Sequence, residues 1–258
     1  MRFGSLVEVV AAAHLAPRVT GDVSKERGGI MLVAPPGQLK TTAIEYLDSF
    51  PKTKLISNIT VHALNQLRQD FISEEIVTMG FPDYDMIYKR HSTVASQVEG
   101  TLMGLMGEGF RNPAFSDQRV NVTKARCTII GGITIKCYEK MISEWIDSGF
   151  ARRFLWARYT LKNSELLEEA IAMWRRHTLD GDFIMRVPTS GVIPYCLTTK
   201  EAKEVLYQLR FHHDRKPPFI TAQRIISVLC WKHGSKKGWE IWNDFAPCVG
   251  KDEGQIVL

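Results

Sequence analysis

An α/β fold with a parallel sheet between layers of helices, followed by a smaller helical domain, is what the chain predicts, and three observations carry it. Short β-branched apolar runs alternate with helix-period segments from about residue 28 to residue 161. Glycine, proline and capping residues punctuate those segments where they change type. After residue 162 the alternation stops and helical patterns dominate.

In order, residues 5–16 have a helical pattern closed by the turn-rich "PRVTGDVSKERGG". "GGIMLVA" reads as the first strand, because a β-branched run bounded by glycine and proline suits a buried strand. "KTTAIEYLDSF" follows as a helix ending at Pro51, then "TKLISNI" as a strand and "TVHALNQLRQDFISEE" as a helix capped by Thr60. "EIVTMGF" is the third strand, and "STVASQVEGTLMGLMGEGF" a helix opened by Ser92 or Thr93. "ARCTIIGGIT" is the fourth strand, "CYEKMISEWIDSG" a helix stopped at Gly149, and "RFLWARYTL" the fifth strand. Beyond it come the helix "SELLEEAIAMWRRH", the short strand-like pieces "DFIMRVP" and "VIPYCL", and the helices "TTKEAKEVLYQLRFHHDR", "TAQRIISVLCWKHG" and "GWEIWNDFA". The expected division is an α/β core over 1–162, a mainly helical domain over 163–249 and a flexible tail over 250–258.

The 258 residues carry a formal charge of +5, which permits attraction to nucleic acid without requiring it. Five cysteines are widely spaced with no zinc-type pairing, so they read as reduced, mostly buried thiols of a cytoplasmic protein. No apolar window is long enough to span a membrane, and no membrane partner is expected. His212, His213 and Asp214 lack a third ligand at metal spacing, and Trp231, Trp239 and Trp242 read as packing for the helical domain.

The stretch "APPGQLKTT" lies between the first strand and its helix. In the frame G-x-x-x-x-G-K-[ST] it places Ala34 and Leu39 where glycines belong and keeps Gly37, Lys40 and Thr41. A phosphate loop needs backbone N–H groups, a lysine ammonium and a magnesium-binding hydroxyl at this place. Leu39 is the serious departure, since glycine there adopts backbone angles that a branched side chain resists. The alternative is a plain strand–turn–helix. The candidate nucleotide contacts are Pro36, Gly37, Gln38, Leu39, Lys40, Thr41 and Thr42.

The order of motifs resembles AAA+ ATPases of the P-loop class, particularly phage and plasmid replication ATPases distantly similar to minichromosome maintenance helicases. The residues that carry the resemblance are "PRVTGD", "APPGQLKTT", "LISNIT", "VTMGFPDYDMIYKRH", "IIGGIT", "SGFARRFLWARY" and "TAQRIISVLCWKHG". It implies ATP with Mg2+ as cofactors, a homo-oligomeric ring or partial ring, DNA as a partner, and helicase, translocase or loader activity in replication, in the host cytoplasm if phage-encoded. It also implies residue roles. Asp83 would stand on the metal side with Thr41, and Asp85 would be the base, while Tyr84 occupies the place of the family's glutamate. Thr134 resembles sensor 1, with Asn121 and Thr128 as weaker options. Arg153 resembles the arginine that reaches a neighbouring subunit's γ-phosphate, and Arg224 the sensor 2 arginine of the lid. Plainer readings stay open: "PDYD" as a surface turn, "GGIT" as a strand exit, Arg153 paired with Glu144 or Asp147, Arg224 as a solvated helix-end charge. "YKRH", with Lys89, Arg90 and His91, reads as a nucleic-acid backbone contact or a solvated loop. The rival to an ATPase is a hydrolysis-deficient AAA+ subunit with a structural or regulatory role.

Overall fold

A computed structural model describes residues 1–20, 27–57, 59–89, 92–107, 125–168, 192–209 and 216–249. The strand expected at "DFIMRVP", the residues His212, His213 and Asp214, and the tail over 250–258 lie outside them, as do Arg90, His91 and Asn121.

The central sheet has five strands: β2 (Gly29–Val33), β3 (Thr53–Leu55), β4 (Thr78–Phe81), β5 (Thr128–Ile133) and β6 (Phe154–Arg158). They lie in the order β3-β4-β5-β2-β6, and every pairing is parallel. A separate two-stranded parallel ribbon joins β1 (Val19–Thr20) to β7 (Ile193–Pro194). The earliest strand of the sheet therefore sits between its two latest ones.

Both faces of the inner sheet are covered, which is why β2, β4 and β5 are continuously buried runs rather than alternating ones, whereas the edge strand β3 is partly exposed. Ile30 and Leu32 of β2 belong to one buried cluster, and Met31 and Val33 to the other. The first cluster is completed by α1 (Phe3–Leu15), α2 (Lys40–Glu45), α9 (Thr199–Gln208), α10 (Lys216–His233) and α11 (Ser235–Phe245). α1 is buried on nearly every side because it packs against α2 as well as α10 and α11. The second cluster takes in α3 (Val61–Gln66), α4 (Arg68–Ile72), α5 (Asp85–Tyr88), α6 (Ser92–Met106) and α7 (Ile135–Ser148). Residues 163–168 form a helical segment, α8. Among the described residues no helix is long and apolar enough to cross a membrane.

Boundaries differ from the sequence expectation in places. The strand expected over "TKLISNI" pairs only through Leu55, with one further bond from Ile56 N–H to Gly80 O. The helix expected from Thr60 divides at Leu67, whose ψ of 1° breaks the run between α3 and α4. Thr60 does cap α3, its side chain accepting from Ala63 N–H. Trp242 and Trp239 pack as expected and donate to Gln208 and Glu201, whereas Trp231 is 39% exposed. Three of the five cysteines are buried, Cys137 is half-buried and Cys196 exposed, and all are free thiols.

Under β4 and β5 lies an aromatic layer with one carboxylate inside it. Trp145 stacks on Trp156 with centroids 5.2 Å apart, and Tyr84 stacks on Phe150. Glu99 of α6 accepts from Trp145 Nε1, at 2.8 Å, and from the Tyr88 hydroxyl. Those two bonds fasten α5 and α7 to α6 from behind. Burial pushes the Glu99 carboxyl above the usual carboxylate range, against the opposing pull of Tyr88 and Trp145. A carboxyl raised in the folded state contributes stability that is whole below its unfolded pKa and is lost as pH rises through the folded one. Glu99→Gln keeps an acceptor oxygen and removes the titration. Its stability, followed by urea unfolding between about pH 4 and pH 7, should fall less with rising pH than that of the wild type.

Candidate functional site

The connection leaving β2 runs over the first face of the sheet toward β3, while α7, which follows β5, packs on the other face. Adjacent parallel strands whose connections part in this way leave a crevice beyond their carboxyl ends, where α/β proteins bind ligands. Here it is a cleft of about 420 Å3, lined by Pro36, Gly37, Gln38, Leu39, Lys40, Thr41 and Thr42 from the loop after β2. The wall across it comes from Pro82, Asp83, Asp85 and Lys89 after β4, and from Gly132 and Thr134 at the end of β5.

The loop turns back on itself through two left-handed residues, Gly37 at φ 77° and Leu39 at φ 58°. Position 39 thus adopts the backbone that glycine favours, with leucine supplying the side chain; such a residue costs about 1–2 kcal/mol in that well. Leu39 offsets part of this by packing against the core cluster that contains α1 and α2. Lys40 is buried, and its Nζ donates to Ala34 O and Pro35 O, each at 2.8 Å. Burial lowers the Lys40 pKa, while Asp85 and Asp83 act to raise it. The loop is moored on its other side, where Tyr159 O–H donates to Gln38 O at 3.0 Å and Leu161 N–H donates to Gln38 Oε1.

Across the cleft, Thr41 Oγ1 donates to Pro82 O at 3.4 Å. The strand end nearest Thr41 therefore offers a carbonyl, and the carboxylates come from the turn beyond it. "PDYD" is a turn leading into α5, as the plainer reading had it, yet it faces the cleft with both acids. Tyr84 points the other way: it is fully buried and packs edge-on against Phe81. Asp85 Oδ1 accepts from Thr134 N–H at 3.0 Å, which ties the β4 turn to the end of β5. Thr134 both ends β5 and caps α7, its hydroxyl accepting from Cys137 N–H. A Cβ on Gly132 would lie 2.9 Å from Pro82 O and 3.4 Å from Lys40 Cβ, so glycine is required for the two walls to approach. Burial first, and Asp85 next, push the Cys137 thiol up to about 12, which leaves it protonated beside the cleft.

The two arginines are not brought to the cleft. Arg153 directly precedes β6, so it lies at the amino-terminal edge of the sheet, with its guanidinium against the backbone of Gly107 at the end of α6. Among the described residues no ion pair joins it to Glu144 or Asp147. Arg224 is buried, and it is close enough to Arg27, just before β2, for the two charges to oppose each other. Thr221, one turn earlier on α10, touches Gly28. Thr128 is likewise buried at the far end of β5.

Lys89 is the cleft residue that sequence reading missed, since it was grouped with Arg90 and His91. A signal existed. It follows Asp85 by four residues, and a helical turn puts such residues on one side.

The backbone at position 39 yields a test. Leu39→Gly exchanges packing for relief of strain, so urea unfolding should find it within about 1 kcal/mol of wild type. Leu39→Val puts a β-branched side chain in the same left-handed well and should lose about 1–2 kcal/mol. No protein-family model matches the chain, and no curated protein is significantly similar to it.

Proposed function

We propose that the protein binds ATP with magnesium in this cleft and hydrolyses it, as an AAA+ ATPase acting on DNA in replication. One observation carries the reading: the left-handed loop with Lys40 shares a single cleft with Asp83, Asp85 and Thr134, at the switch point of a parallel sheet.

Each side chain has a task that its chemistry suits. The loop from Gly37 to Thr41 wraps the phosphate chain with backbone N–H groups. Lys40 exchanges its bonds to Ala34 and Pro35 for the β and γ oxygens, so its charge enters the site without a new desolvation cost. Among the described residues no three His, Cys, Asp or Glu side chains form a metal cage. Thr41 and Asp83 are hard oxygen donors of the kind that hold magnesium together with substrate phosphates. When bound there, the ion would polarise the terminal phosphate. Asp85, oriented by Thr134 N–H, receives the proton of the attacking water, and Thr134 holds a γ oxygen.

Arg153 lies beyond reach of its own cleft, which suits service to the cleft of a second copy in a ring or partial ring, whereas Arg224 is buried near Arg27. A planar guanidinium pairs with two phosphate oxygens at once, as that role demands. DNA as the partner rests on the resemblance alone, which the formal charge of +5 permits without requiring.

The second reading, a hydrolysis-deficient AAA+ subunit with a structural or regulatory role, is favoured by Pro82. It offers Thr41 a carbonyl at the strand end rather than a carboxylate.

Titration calorimetry with a non-hydrolysable ATP analogue and magnesium should show binding that weakens about tenfold to a hundredfold in Lys40→Ala. No heat at millimolar nucleotide would end both readings. Turnover of ATP, measured with and without single-stranded DNA, should exceed that of Lys40→Ala; equality leaves only the hydrolysis-deficient subunit. If Arg153 serves a second copy, mixing inactive Arg153→Ala with inactive Lys40→Ala should restore part of the turnover, because some interfaces then pair an intact cleft with an intact arginine.

A further inference from the structure

Lys89, the C-cap of α5, lines the cleft with Asp83 and Asp85 on the wall after β4, next to Thr134 at the end of β5. The two lysines of the cleft are differently engaged. Lys40 is buried and bound to two carbonyl oxygens. Among the described residues the exposed Lys89 ammonium donates to the thioether of Met86 alone, at 3.2 Å, and a thioether is a weak acceptor. Its backbone is nevertheless well placed, because the preceding residue, Tyr88, is bonded to the buried Glu99. A fixed base under a flexible four-carbon stem lets a compact charge meet an oxygen over a range of positions.

The charge balance of the cleft points the same way. Lys40 and Lys89 together offset Asp83 and Asp85 among the residues lining the cleft, and a second ammonium there favours each added phosphate. Arg153 and Arg224, which the sequence offered for the last phosphate, stand at the other edge of the sheet.

We infer that Lys89 is the residue that distinguishes nucleoside triphosphate from diphosphate, its ammonium pairing from within the same chain with an oxygen of the terminal phosphate. The inference rests on the ATP reading of the cleft and adds a specificity element to it. A diphosphate would satisfy Lys40 and the loop amides but would leave Lys89 with Met86.

The test is calorimetric titration of the full chain, with magnesium, against ADP and against the β,γ-imido analogue of ATP. Lys89→Met should weaken the triphosphate analogue about tenfold and alter ADP by less than about twofold. Lys89→Arg should restore most of the loss, since it returns the charge. Lys203→Met, a change at an exposed lysine of α9, should alter neither nucleotide and so excludes a general effect of net charge. An equal shift for both nucleotides in Lys89→Met, or no shift for either, overturns the inference while leaving the ATP reading in place. Wild-type protein that binds neither nucleotide overturns the ATP reading itself, and the inference falls with it.

Discussion

The Lys40 ammonium donates to the carbonyls of Ala34 and Pro35, closing the chain after β2 into a ring around its own charge. Everything in the cleft is arranged around that closure. It goes with left-handed residues at 37 and 39. The Pro82 carbonyl comes so close to the end of β5 that position 132 has to be glycine, with the Lys40 stem in contact beside it. The opposite wall is then fixed by Asp85, whose carboxylate takes the Thr134 N–H and so links two neighbouring strand ends. A loop that satisfies its own lysine internally can stand folded before any ligand arrives, which lowers the ordering cost of binding.

Much of this was legible from the chain. The run of β-branched residues before "PPGQLKTT" located β2, and lysine followed by threonine located the loop even though both framing glycines are absent. Asp83, Asp85 and Thr134 were legible because polar residues ending a buried apolar strand have few places to go except the carboxyl edge of the sheet. The left-handed angle at Leu39 was not: the residue type argues against it, and it is imposed by the loop closure and the packing of the side chain.

Other features depended on contacts that no local pattern records. Tyr84 looked like a substitution inside the site. In the fold it faces the aromatic layer, and the alternation of direction through "DYD" delivers both acids to the cleft instead. Arg224 sits on a helix whose apolar face announced burial, yet which end of the sheet it would meet is decided by how α10 crosses α1 and β6. The division of α3 from α4 at Leu67 has no breaker residue, so nothing in the periodicity marked it. Local chemistry was readable where the chain folds on itself within a few residues, and became opaque where two distant elements choose their mutual orientation.

The strand order has a bearing on how the chain comes to be folded. β2 is apolar at every position and is made early, but its partners begin only at Thr128 and Phe154. Until β5 has left the ribosome, β2 has no lateral hydrogen bonds to form, and α1 and α2 can shield one side of it at most. Such late closure of distant contacts slows folding and prolongs the exposure of a sticky segment. Slower elongation between residues 34 and 128, or a chaperone that covers the nascent strand, would then govern the yield of native protein more than any single contact in the finished cleft.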